Sequence, residues 1–124
     1  MKRTADDLRL LTAAELELMH VLWTLGEATV QQVLDGLQGA RAYTTVATLL
    51  KILDDKGFAA VQKDGRKLAY RPAVDRPAYE ATAVRDVVER VFAGDAGALV
   101  RTLVEHERLR PEDLQALRAL LEDK

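Results

Sequence analysis

Two groups of side chains in this chain could do chemistry, and neither is a catalytic set. Thr44, Thr45, Thr48 and Lys51 recur at close spacing, and Lys63, Arg66 and Lys67 gather around Asp64-Gly65. Val46, Leu49, Leu50 and Leu53 fall at i, i+3, i+4 and i+7, the buried stripe of a helix. With that stripe turned inward, Thr44, Thr48, Lys51 and Asp55 project to the opposite side, with Thr45 and Ala47 flanking. Threonine hydroxyls and methyls can contact thymine methyls, base edges or phosphates, and lysine can reach guanine or phosphate. The small side chains at Thr44, Ala47 and Thr48 would let such a helix approach closely, although Thr44 is equally suited to capping it. Asp55 would be repelled by phosphate and must sit clear of it. The basic trio suits a flanking phosphate backbone or a minor groove, against the plainer reading of a solvated turn.

Enzymatic chemistry finds little here. His20 and His106 are the only histidines, and no partner set for catalysis accompanies them. Glu105 and Glu107 flank His106 but project in different directions on a helix, so they form no ligand pair with it. Glu17 lies one turn from His20 and could interact with it. The absence of cysteine excludes disulfides, thiolate metal sites and cysteine nucleophiles. There is no phosphate-binding glycine loop and no nucleophile elbow, and Trp23 and Tyr43 read as core or boundary packing. No catalytic residue, metal or cofactor is expected.

The 124 residues carry a net charge of -2, so bulk charge points to no partner. Its distribution is more informative. Residues 1–40 carry Lys2, Arg3 and Arg9 against Asp6, Asp7, Glu15, Glu17, Glu27 and Asp35, a net -3. Residues 41–72 carry Arg41, Lys51, Lys56, Lys63, Arg66, Lys67 and Arg71 against Asp54, Asp55 and Asp64, a net +4, and residues 73–124 return to -3. A basic middle between acidic ends is expected where one face meets a polyanion. No apolar run approaches the ~18 residues of a membrane span, and the first residues lack a signal-peptide core. A cytoplasmic protein without membrane contact is expected.

The elements that must position these groups are punctuated clearly. Thr12-Ala13-Ala14-Glu15 has the form of a capping box, followed by Leu16, Met19, Val21, Leu22 and Trp23 and closed by Gly26. Thr29-Val30-Gln31-Gln32 repeats the box with glutamine, opening a short helix through Val33, Leu34 and Leu37 that ends near Gly36 and Gly39. The third helix starts near Thr44 or Thr45 and ends at Gly57, a left-handed cap that brings Phe58 toward Leu53. Phe58–Gln62 and Leu68–Arg71 then flank a hairpin turn signal at Asp64-Gly65. Three helices and a basic-tipped hairpin make a winged helix-turn-helix over residues 1–73, whose third helix would lie in a major groove.

Pro72, Asp75 and Pro77 break the chain before a second part, residues 74–124. A helix over 77–92 aligns Val84, Val87, Val88 and Val91; a second, from Asp95 to about His106, carries Leu99, Val100, Leu103 and Val104. A third, opened by Arg110-Pro111-Glu112-Asp113, carries Leu114, Leu117, Leu120 and Leu121. Three short helices make a poor core alone, so interdigitation with a second copy of the chain is expected, through Val84, Val87, Val88, Val91, Leu99, Leu103, Leu114, Leu117 and Leu121. The fold class is therefore mainly α, with a small hairpin wing and a three-helix dimerisation segment.

Leu11-Thr12-Ala13-Ala14-Glu15-Leu16-Glu17-Leu18-Met19, Val21-Leu22-Trp23, Gly26, Thr29-Val30, Tyr43-Thr44-Thr45-Val46, Thr48-Leu49-Leu50 and Lys56-Gly57 together resemble the penicillinase-repressor family, BlaI and MecI with the CopY copper repressors. The resemblance implies a homodimeric winged-helix repressor whose tail helices intertwine, bound to a pseudo-palindromic operator in double-stranded DNA. It puts Thr44, Thr45, Thr48 and Lys51 on the recognition helix and Lys63, Arg66 and Lys67 on the wing. Copper-responsive relatives carry a cysteine-rich tail, so a copper-thiolate switch is excluded here. Antibiotic-responsive relatives are cleaved at an Asn-Phe bond in the second tail helix, which implies a regulatory protease as a further partner, but the matching bond here reads Thr102-Leu103.

The reading is thus a non-enzymatic transcriptional repressor, released by proteolysis or another signal acting on the tail. A winged-helix protein-interaction module that never touches DNA competes with it, but would not need the basic third helix and wing. A dimeric regulator sensing a small molecule would need a polar-lined pocket between the tail helices.

Overall fold

The computed structural model describes residues 10–106 and 109–123, apart from the side chain of Asp64. The charges read above at Lys2, Arg3, Asp6, Asp7, Arg9 and Glu107 lie outside the described residues. Two compact units divide between Ala83 and Val84.

In the first unit, local capping chemistry sets the helices. The helix α1 (Ala13–Leu25) begins with the full box: Glu15 N–H donates to Thr12 Oγ1 and Thr12 N–H donates to the Glu15 carboxylate. After the two-residue strand β1 (Ala28–Thr29), α2 (Val30–Gly36) opens with the same reciprocal pair between Thr29 and Gln32. The helix α3 (Tyr43–Lys56) starts one residue before Thr44, and its N-cap, Ala42, offers no side-chain bond. Thr44 is therefore in the first turn rather than capping it. Gly57 ends α3 in the left-handed conformation, φ 86°, which costs a residue with a Cβ about 1–2 kcal/mol. Phe58 N–H then returns to the Leu53 carbonyl at 2.9 Å, closing a Schellman turn.

The strands β2 (Ala59–Asp64) and β3 (Lys67–Pro72) pair antiparallel, with Asp64 opposite Lys67, so the two-residue turn is Gly65-Arg66. Gly65 has φ 64°, the conformation such a turn demands at its first central position. On its other edge β3 pairs with β1, Ala28 opposite Tyr70, giving the sheet order β1-β3-β2. This is a winged helix.

The core joins Leu18, Met19 and Leu22 of α1 to Val33, Val46, Leu50, Leu53 and Phe58, all 0–1% exposed. Trp23 stays half-buried and donates its indole N–H to the Val74 carbonyl. The helix α4 (Arg76–Val91) starts on Asp75, whose carboxylate caps Ala78 N–H, and buries Tyr79 edge-on to Phe58.

In the second unit α5 (Ala96–His106) is capped by Asp95, and α6 (Pro111–Glu122) starts at Arg110, whose backbone N–H donates to the Asp113 carboxylate. Neither helix contains a buried residue. Val84, Val91, Leu103, Leu114, Leu117 and Leu121 are exposed, Leu121 by 74%. Val87, Val88 and Leu99 are half-buried. No helix among the described residues is long and apolar enough to cross a membrane.

Candidate nucleic-acid interface

The face of α3 opposite its buried stripe is open. Val46, Leu50 and Leu53 turn inward, and Leu49 is half-buried. Thr44, Thr45, Thr48, Lys51 and Asp55 are all exposed, with Ala47 half-buried beside them. Helix periodicity alone explains the division, because three or four residues return to the same side.

The seven singled-out residues fall into three places. Thr44, Thr45 and Thr48 share a shallow concavity of about 270 Å³ with Leu49. Lys51 belongs to a different feature, a groove of about 500 Å³ between α3 and the hairpin. Tyr43, Ala47 and Lys51 line it from α3, and Arg66, Lys67, Leu68 and Tyr70 line it from the hairpin. Lys63 is exposed on β2 and lines neither.

Tyr43 corrects its packing assignment: it is 50% exposed on the groove wall. Leu68, also 48% exposed there, carried no sequence signal beyond its place in a strand. Thr29, Val30 and Gln31 complete the wall at the start of α2, where only the Thr29–Gln32 box was legible.

Charge in the basic segment is divided between internal and outward use. Arg41 pairs with Glu17 at 3.0 Å, and Lys56 pairs with Glu15 at 2.6 Å. Glu17 therefore spends its charge on Arg41 rather than on His20, which instead stacks edge-on against Trp23. Lys51, Lys63, Arg66 and Lys67 form no ion pair among the described residues. Three of these cations, Lys51, Arg66 and Lys67, converge on the groove and would attract an anion there.

Tyr70, 5% exposed, closes the groove floor. Burial pushes its phenol above the usual 10.0, and the Asp54 and Asp55 carboxylates push it further the same way. The floor is thus a neutral phenol at ordinary pH and adds no negative charge beneath the cations. No group of three or more histidine, aspartate or glutamate side chains among the described residues is arranged to hold a metal.

A profile of the family described as penicillinase repressor matches residues 11–123. The Mycobacterium tuberculosis (strain ATCC 25618 / H37Rv) transcriptional regulator BlaI is 34% identical over 111 residues, covering 86% of this chain and 79% of that protein. The Staphylococcus aureus (strain N315) methicillin resistance regulatory protein MecI is 26% identical over 116 residues, covering 92% and 94%. Among solved structures, the Bacillus licheniformis BlaI monomeric form in complex with the blaP half-operator superposes with a TM-score of 0.51 at 30% identity, over 64% of this chain and 94% of that one.

Proposed function

This chain belongs to the penicillinase repressor family, a family of DNA-binding transcriptional repressors and not of enzymes, and from that premise we propose that it represses transcription as a homodimer on a two-fold DNA site. The residues up to about 73 form the DNA-reading head and the following helices the dimerising tail, acting on DNA in the cytoplasm. The observation that carries this reading is the convergence of Lys51, Arg66 and Lys67, which form no ion pair among the described residues, on one groove beside α3.

Thr44, Thr45 and Thr48 meet base edges in the major groove, while Lys51, Lys63, Arg66 and Lys67 hold phosphates on either side. The relative bound to a half-operator supports one head per half-site. The uncovered apolar residues of the tail support dimerisation: a second copy would bury Val84, Val91, Leu103, Leu114, Leu117 and Leu121, with Val87, Val88 and Leu99 beside them. Release follows when the tail is unpacked, by a regulatory protease near Thr102-Leu103 or by another signal on these helices.

The test is selection of duplexes from a random-sequence pool by the full-length chain, followed by footprinting of the winner. Two symmetric protected segments about one helical turn apart, 10–10.5 base pairs or a multiple, are expected. Binding without sequence preference would refute the reading.

A further inference from the structure

Glu15 is the one charged residue among the described residues that is buried, at 3% exposed. Its two carboxylate oxygens are divided between two helices. One accepts the Thr12 N–H at 2.8 Å and closes the cap of α1; the other accepts Lys56 Nζ at 2.6 Å, at the last residue of α3. The α1 face turned to the core reads Glu15, Leu18, Met19 and Leu22, at i, i+3, i+4 and i+7. A carboxylate thus occupies the first position of an otherwise apolar stripe, held in the structure by two specific donors.

Apolar packing alone does not explain that choice. The stripe Val46, Leu50 and Leu53 sets which side of α3 faces inward, but hydrophobic burial is non-directional and tolerates small tilts. A charge-assisted hydrogen bond at one end of the helix is directional and fixes that end. The lever is long: from Lys56 to Thr44 is about 18 Å at 1.5 Å per residue, so a tilt of about 5° at the Lys56 end moves Thr44 by roughly 1.5 Å. Base recognition requires donors and acceptors to meet within hydrogen-bond distance, and a displacement of that size breaks such contacts.

We propose that Glu15, through Lys56, is a positioning residue for DNA readout: it sets the angle at which α3 presents Thr44, Thr45 and Thr48 and touches no DNA itself. The inference rests on the DNA-binding reading above. It also assigns Lys56 to the protein rather than to phosphate, although Lys56 belongs to the basic segment.

The molecule contains its own control for the substitution. In α2 a glutamine, Gln32, closes the same box with Thr29 that Glu15 closes with Thr12. Glu15→Gln therefore keeps the cap of α1 and removes the charged acceptor that holds Lys56, turning an amide NH2 toward it instead. Full-length wild type, Glu15→Gln, Lys56→Gln and Lys56→Arg are titrated over a salt series on the duplex selected by wild type and on random duplex. The readouts are the ratio of the two affinities and the salt slope, with urea unfolding run alongside.

In Glu15→Gln and Lys56→Gln the ratio is expected to fall by about tenfold, the loss of roughly one base contact. The salt slope stays as in wild type because no phosphate contact is removed, and Lys56→Arg restores the ratio. A wild-type ratio in either neutralising variant overturns the proposal, as does a slope lowered by about one unit in Lys56→Gln, which would make Lys56 a phosphate contact. Should Glu15→Gln not fold, Lys56→Gln decides, since the Lys56 side chain is 39% exposed and can be replaced without an empty core. Failure of the DNA-binding reading is separately visible, as a wild type with no selected duplex.

Discussion

The backbone N–H of Leu11 donates to the phenol oxygen of Tyr79 across 3.0 Å, tying the chain just before α1 to the first turn of α4. Tyr79 is 7% exposed and packs against both Trp23 and Phe58. The start of α4 is thereby part of the winged-helix core. Tyr79→Phe removes one hydrogen bond and should cost about 0.5–1.5 kcal/mol, while Tyr79→Ala opens a cavity and should cost about 3–5 kcal/mol. Urea unfolding of the full-length variants checks this. Equal midpoints for Tyr79→Ala and wild type would remove Tyr79 from the core.

The groove cations should act through phosphate. Replacing Lys51, Arg66 and Lys67 together with alanine is expected to lower the salt slope of DNA binding by about three units, with sequence preference retained. All three are exposed, so thermal unfolding should be nearly unchanged. A salt titration identical to wild type would exclude them from the interface.

Thr48 should act on sequence. Thr48→Ala is expected to lower the discrimination between selected and random duplex by ~1–3 kcal/mol while leaving affinity for random DNA in place. Equal losses on both duplexes would make Thr48 a backbone contact.

Glu15 also gives stability a pH dependence of known sign. Burial works to raise its carboxyl, but the bonds from Lys56 and Thr12 outweigh burial and hold it below the usual 4.5. A depressed folded value means the contribution is complete above the unfolded value and is lost as pH falls through the folded one. The stability gap between wild type and Glu15→Gln should therefore narrow on acidification below about 4.5. Urea midpoints taken from neutral pH downward measure the gap, and a constant gap would show that Glu15 keeps its ordinary value.

What was legible in the sequence is what local chemistry decides. The Thr12–Glu15 and Thr29–Gln32 boxes, the Gly57–Phe58 turn and the Gly65 hairpin each depend on residues a few positions apart, so spacing reveals them. The strand β1 was not legible, because Ala28-Thr29 is too short for a period and exists only by pairing with Ala69 and Tyr70. The helix α3 starts one or two residues before the expected Thr44 or Thr45, because its N-cap, Ala42, has no side-chain hydroxyl to mark it. On α1 the apolar run Leu16, Met19, Val21, Leu22 and Trp23 only partly coincides with the buried side, Glu15, Leu18, Met19 and Leu22, whose first member is a glutamate and gives no hydrophobic signal.

The candidate site was legible as a pattern of exposure, not as a geometry. Periodicity gave the outward face of Thr44, Thr48 and Lys51, but only the pairing of β3 with β2 brings Arg66 and Lys67 to the groove that Lys51 lines. Spacing puts Glu17 beside His20, whereas its partner Arg41 lies 24 residues away. Long-range pairs of this kind carry no spacing signal.

Whether two copies of this chain read one two-fold DNA site through α3 and the wing is decided by sedimentation of the full-length protein with its selected duplex. A single complex of two chains per duplex is expected, with the free protein sedimenting as a dimer. A chain ended at Ala83 should be monomeric and bind the same duplex about 10²–10⁴-fold more weakly, because the second head is no longer tethered to the first. A full-length chain that sediments as a monomer apart from the duplex would exclude two-fold reading by paired heads.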